Sequence, residues 1–168
     1  MLSKQKIHLL TTSAVFAAAI AMMTAYILHI PMPTGGYFHL GDALIYLAAC
    51  LLPLPYAAAA AAVGAGLADL LTAPMWVVPT LIIKSLLVLF FTSKNERILC
   101  RRNLIAVVLA GVFSPAAYAL ADCIIAGTMT AFIPQFLVTL FQGIGSGALF
   151  LVIAPALDGV KLKTRVSF

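Results

Sequence analysis

Between Ile7 and Ala156 the chain runs as six apolar stretches, about 7–28, 41–54, 56–72, 77–92, 103–126 and 133–156, separated only by short polar or Pro/Gly-rich joints. About 20 apolar residues suffice to cross a bilayer as a helix, and only helices or closed barrels satisfy their own backbone groups there. Charged residues make up 9% of the chain and hydrophobic ones 64%, against about 25% charged in a water-soluble domain. These features predict an all-α integral membrane protein, one transmembrane domain over residues 1–168 with six transmembrane helices. Several stretches fall short of a perpendicular span, which implies tilted, broken or partly submerged helices. The second and third meet at Leu52-Pro53-Leu54-Pro55, where each proline removes a backbone donor and disfavours helix just before it, so a tight hairpin is expected. Lys4 and Lys6 ahead of the first stretch imitate a signal peptide. That stretch exceeds the roughly 7 to 15 apolar residues of a signal sequence and reads as a retained helix.

Charge sets the orientation. With six crossings, the N-terminus, the joint between the fourth and fifth helices and the C-terminus share one side. That side carries Lys4, Lys6, Lys94, Arg97, Arg101, Arg102, Lys161, Lys163 and Arg165, leaving Lys84 as the remaining one of the 10 basic residues. Loops 29–40, 72–76 and 127–132 contain no Lys or Arg. The positive-inside rule then makes both termini cytoplasmic and those loops external. The net charge of +5 follows this topology and forms no nucleic-acid reading face.

Ionisable groups within apolar segments are costly and point to function. Asp42 opens the second helix, Asp69 lies near the outer end of the third, Lys84 inside the fourth and Asp122 near the outer end of the fifth, all in the outer half. Asp69 and Lys84 match in depth across an antiparallel hairpin, so a direct pair is expected, either purely structural or part of a ligand pocket. Asp42 suits a helix-capping carboxylate as well as a ligand contact. Asp122 reads as a ligand contact or a helix-bonded carboxyl, and Gln142 as a ligand contact or an interhelical hydrogen bond. Trp76 fits an interfacial anchor or a lid stacking on a planar ligand. His39 fits a loop-ordering hydrogen bond or a group at the pocket mouth. Three aspartates against one lysine disfavour an anionic ligand and favour a neutral or cationic nitrogen heterocycle.

Catalytic patterns fail. H-E-x-x-H, G-x-S-x-G and Walker A sequences are absent, and the lone glutamate, Glu96, sits in a cytoplasmic joint. Gly143 and Gly147 lie inside an apolar helix and read as close packing. Cys50, Cys100 and Cys123 are widely separated and odd in number, so free thiols are expected, with neither a metal site nor a cofactor. On the first helix, Ala14, Ala18, Ala21 and Ala25 recur at helical spacing beside Ala17, a smooth strip suited to internal packing or to docking a partner helix. A stand-alone permease or channel is the alternative, but it needs a continuous polar path and the inner half holds almost no ionisable residue.

Three stretches, Pro33-Thr34-Gly35-Gly36-Tyr37-Phe38-His39-Leu40-Gly41-Asp42-Ala43, Gly64-Ala65-Gly66-Leu67-Ala68-Asp69-Leu70 and Trp76-Val77-Val78-Pro79-Thr80-Leu81-Ile82-Ile83-Lys84, resemble the substrate-binding S components of energy-coupling factor (ECF) transporters, in the riboflavin and hydroxymethylpyrimidine group. The resemblance implies a non-catalytic subunit in a bacterial cytoplasmic membrane that captures a vitamin or precursor beneath its first outer loop. It further implies docking through Ala14, Ala18 and Ala21 to a transmembrane coupling subunit driven by two cytoplasmic ATPases, with toppling of the binding subunit to release the ligand. His39, Asp42, Asp69, Trp76, Lys84, Asp122 and Gln142 are the expected substrate-binding residues.

Overall fold

The computed structural model describes residues 3–27, 29–32 and 37–165; Pro33 to Gly36, part of the first resembling stretch, lie outside the described residues. The helices are α1 (Lys4–Ala25), α2 (Asp42–Leu51), α3 (Leu54–Thr72), α4 (Val77–Leu87), α5 (Arg101–Ala126), α6 (Phe132–Gly159) and the short α7 (Leu162–Arg165). Single 3-10 turns, Pro74–Trp76, Val88–Phe90 and Met129–Ala131, flank α4 and precede α6. A two-residue antiparallel ribbon, β1 (Ile30–Pro31) with β2 (Tyr37–Phe38), pairs Ile30 with Phe38 and Pro31 with Tyr37 in the connection between α1 and α2.

Four helical runs are long and apolar enough to cross a membrane: Lys4–Ala25, Leu54–Thr72, Arg101–Ala126 and Met129–Gly159. Asp42–Leu51 and Pro74–Phe90 are shorter. At 1.5 Å per residue the ten residues of α2 extend about 15 Å, half the hydrocarbon thickness. Every residue of α2 but Leu44 is buried, so it is a core helix, packed against α1, α3 and α6. The double-proline joint behaves as expected: α2 stops at Leu51, and α3 begins at Leu54 with Pro55 in its first turn, where a missing N–H costs nothing.

The bundle is held by small-residue contacts between helices, with Tyr46, Phe91 and Phe150 clustering deeper in the core. α1 lies against α3 at Gly64, where an added Cβ would come 2.6 Å from the Ala17 carbonyl oxygen and 2.9 Å from Ile20 Cβ. Gly143 and Gly147 similarly let α6 approach α5, opposite Gly111 and Val107. Overpacking of this kind costs about 1–3 kcal/mol. Gly64→Ala is therefore expected to lower the melting midpoint of the purified protein in detergent, whereas Gly111→Ala, whose Cβ would meet open space, leaves it unchanged. Equal midpoints for the two variants would show that α1 and α3 yield freely. Outward-facing Val15, Val108, Val112, Ile124 and Val152 are all more than 60% exposed, an apolar surface that only lipid or another membrane helix covers well.

The joint between α4 and α5 is tied down by two polar side chains. Asn103 donates to the carbonyls of Thr92 and Ile98 and accepts from the Thr92 N–H. Asp158, from the end of α6, accepts the N–H groups of Ile98 and Leu99 at 2.7 and 3.0 Å. The three cysteines are free thiols.

Candidate functional site

The buried His39, Asp42, Asp69, Lys84 and Asp122 gather toward the end of the bundle that carries the β ribbon. Lys84 lies on α4 one turn beyond Thr80, and its Nζ donates to both carboxylate oxygens of Asp42 at 2.7 and 2.9 Å, with each residue 1% exposed. Nζ also stands 4.8 Å from the centre of the Tyr118 ring, a cation–π contact that spreads the ammonium charge further. The expected Asp69–Lys84 pair is thus corrected: the partner is Asp42. Depth along a helix follows from sequence, but direction around it does not, and the core helix α2 presents Asp42 to Lys84. Asp42 does open the first turn of α2, yet its carboxylate is occupied by Lys84 rather than by backbone capping. Gln142 adds a weaker polar contact to Asp42.

Asp69 takes a different partner. The Tyr37 hydroxyl donates to Asp69 Oδ1, joining the ribbon to the end of α3. Burial, followed by the adjacent Asp69 charge, raises the Tyr37 pKa, so the phenol keeps its proton and remains the donor. Tyr37 stacks on His29 with ring centres 4.2 Å apart and sits 5.4 Å from His39. The ribbon is seated on α6 where Gly145 has no side chain; a Cβ there would come 2.8 Å from Leu40 and 3.6 Å from Phe38.

Under this ribbon, Tyr37, His39, Asp69, Trp76, Thr80, Tyr118, Gln135, Thr139 and Gln142 line a half-open cavity of about 30 Å³. Pockets for organic ligands run to roughly 300–1,000 Å³, so a vitamin-sized molecule fits only if the lining moves apart. Three buried polar atoms of this lining have no hydrogen-bond partner among the described residues: Asp69 Oδ2, Trp76 Nε1 and Gln135 Oε1. Unpaired buried groups carry a desolvation penalty of about 1–3 kcal/mol each, which a ligand offering the complementary donors and acceptors would remove.

Four of the seven expected substrate-binding residues line the cavity: His39, Asp69, Trp76 and Gln142. Asp42 and Lys84 are absent from the lining, where their mutual neutralisation anchors the helices that carry it. Asp122 is buried on α5, one turn past Tyr118, and lies outside the cavity lining with no hydrogen bond among the described residues. Thr80, Tyr118, Gln135 and Thr139 complete the wall without having been singled out. Thr80 and Tyr118 share a hydroxyl contact of 2.7 Å, and the Tyr118 ring leans on Trp76 at 5.8 Å. A readable signal for two of them existed, because Gln135, Thr139 and Gln142 recur at helical spacing and form a polar face on an otherwise apolar α6.

His39 combines the two roles anticipated for it. Its Nδ1 accepts the Gly41 N–H at 3.0 Å, which fixes the loop entering α2 and leaves the ring proton on Nε2. Burial outweighs the pull of Asp42 and lowers its pKa to about 4. An unfolded chain takes up this proton near pH 6.5, whereas the folded one refuses it until about pH 4. Stability is therefore flat above about pH 6.5 and falls as acid is added through that window, by on the order of 3 kcal/mol. Melting midpoints measured from pH 8 to pH 4 are expected to show this decline, reduced in His39→Gln. A variant profile that falls as steeply as the parent's would remove His39 as the cause.

On α1, Ala14 and Ala18 lie on the exposed face, Ala21 is half-buried, and Ala17 and Ala25 pack inward. The alanine strip is thus divided between an outward surface and the α1–α3 seam.

Residues 4–158 match the family model described as ECF-type riboflavin transporter, S component. No curated protein sequence shows a significant match to the chain. A match over nearly the whole length of a helical, apolar chain places it securely: it belongs to the ECF-type riboflavin transporter S component family, the non-catalytic, membrane-embedded substrate-binding subunits of ECF transporters.

Proposed function

We propose that the chain captures a neutral or cationic nitrogen heterocycle, of flavin, pyrimidine or deazapurine type, from the outer side of a bacterial cytoplasmic membrane. Six crossings with cytoplasmic termini then place the ribbon and its cavity outside. Delivery follows by toppling of the subunit while docked, through the exposed Ala14 and Ala18 and the adjoining Ala21, to a transmembrane coupling subunit powered by two cytoplasmic ATPases.

The observation that carries the ligand class is the unpartnered set in the cavity wall. Asp69 Oδ2 accepts only, Trp76 Nε1–H donates only, and Gln135 does either according to its amide orientation. An N–H flanked by ring carbonyls, as in the imide edge of a flavin, satisfies such a set, and the name of the matching family favours the flavin among the three types. Charge favours the same ligand class. Lys84 and Asp42 cancel each other, His39 is neutral, and Asp69 is the remaining acidic residue of the lining, so a carboxylate vitamin meets acceptor oxygens with no free cation to offset them.

Calorimetric titration of the purified subunit with riboflavin, hydroxymethylpyrimidine, biotin and pantothenate tests this reading. Binding of a heterocycle without a carboxylate is expected to be at least about tenfold tighter than binding of either acid, whereas preference for biotin or pantothenate would overturn the ligand class. Uptake into cells or vesicles only when the coupling subunit and ATPases are supplied separates an S component of this kind from a stand-alone permease.

A further inference from the structure

At the opposite end of the bundle, a groove of about 580 Å³ runs between the Val88–Phe90 turn and the first turns of α5. Its walls are Leu89, Phe90, Ile105, Ala106 and Leu109, and Arg101 and Arg102 stand at its mouth. A neighbouring groove of about 460 Å³, bordered by Leu54, Lys94 and Arg102 among others, shares Leu89 and Arg102 with the first.

We propose that this paired groove binds an anionic phospholipid of the cytoplasmic leaflet, its phosphate held by Arg101 and Arg102 and an acyl chain laid over Leu89, Ile105 and Leu109. The proposal rests on the orientation given above, in which this end is cytoplasmic.

The arginines are available for such a contact. Both are exposed, and among the described residues the ion pair is Lys84 with Asp42, so neither arginine has a carboxylate at salt-bridge distance. Asp158, the nearest acid on α6, is committed to the N–H groups of Ile98 and Leu99. Glu96 is exposed, and Lys94 and Arg97 on the same joint leave the local balance positive. Guanidinium groups hold phosphate oxygens by paired N–H bonds. Arg101 and Arg102 also occupy the first turn of α5, where a cation opposes the helix macrodipole, so the local backbone supplies no reason for them. From Arg101 to Leu109, eight residues at 1.5 Å span about 12 Å, running from the headgroup level well into the hydrocarbon. Leu89, Ile105 and Leu109, each close to half exposed, line that path on one side of the bundle. Charge at one end and apolar wall along the rest fit an amphipathic ligand with an anionic head.

Native mass spectrometry of the purified protein in mixed micelles with equal phosphatidylglycerol and phosphatidylcholine provides the test. The parent is expected to retain phosphatidylglycerol preferentially. Each arginine near an anionic lipid is worth roughly a fivefold change in affinity, so Arg101→Gln/Arg102→Gln is expected to reduce retention about 25-fold. Ile105→Trp, which fills the groove from an exposed position, reduces it without altering charge. Lys4→Gln/Lys6→Gln, an equal loss of charge at the same end, leaves it near the parent's value. Unchanged retention in the double arginine variant, or an equal fall in the Lys4/Lys6 control, overturns the site. So does a double variant that keeps the lipid but fails to assemble with the coupling module, which would make the groove a protein interface. Heterocycle binding measured on the same samples reports separately on the functional reading.

Discussion

Lys84→Met is expected to destabilise the protein more than any other single replacement around the cavity. The change strands the Asp42 carboxylate at a position 1% exposed, and removing one partner of a buried ion pair costs about 3–5 kcal/mol. The companion Asp42→Asn/Lys84→Met removes both charges and is expected to recover most of that loss, since a neutral pair of similar volume has no uncompensated ion. Thermal unfolding in detergent, followed by the reaction of buried Cys50 and Cys123 with a thiol-reactive dye, measures both. If the single variant melts within about 1 kcal/mol of the parent, the pair is not what fixes α2 against α4.

Asp69→Asn acts on binding rather than folding. The amide oxygen still accepts from Tyr37, so the ribbon keeps its tie to α3, but the atom in the place of Oδ2 becomes a donor. A hydrogen bond to a charged group contributes about 1.5–3 kcal/mol, so affinity for an N–H-donating heterocycle is expected to fall roughly 10- to 150-fold. Affinity for a carboxylate ligand would move the other way, because repulsion gives way to attraction. Titration of the variant and parent with the same riboflavin and biotin solutions distinguishes the cases, and parental affinity for the heterocycle would place the ligand away from Asp69.

The sequence was most informative where one variable decides the outcome. Apolar stretches and prolines located the helices and the 52–55 joint to within a few residues, because hydropathy and the lost proline donor act locally. The polar end of the bundle is legible for the same reason, and His39, Asp69, Trp76 and Gln142 do meet there. Partner choice was the harder problem. Asp42 and Asp69 sit at comparable depths, and only the packing of α2 in the centre of the bundle gives Lys84 to the first and Tyr37 to the second. Asp122 shows the same limit. It follows Tyr118 by one turn at a plausible depth, yet lies beyond the cavity wall. Thr80 carries no signal of its own in the sequence, because a hydroxyl in an apolar helix so often bonds its own backbone, as Thr72 and Ser85 do here.

The small volume of the cavity under the ribbon has a consequence for timing. At about 30 Å³ it holds no vitamin-sized ligand until its lining parts, and where the Tyr37–Asp69 bond and the Tyr37–His29 stack are the contacts that give way, every candidate waits for the same opening event. Arrival rates then converge on the frequency of that event, while ligands differ in how long they stay once the ribbon has shut behind them. Selectivity in such a device is written in residence time: a poor ligand is one that leaves at the next opening, and a good one outlasts many.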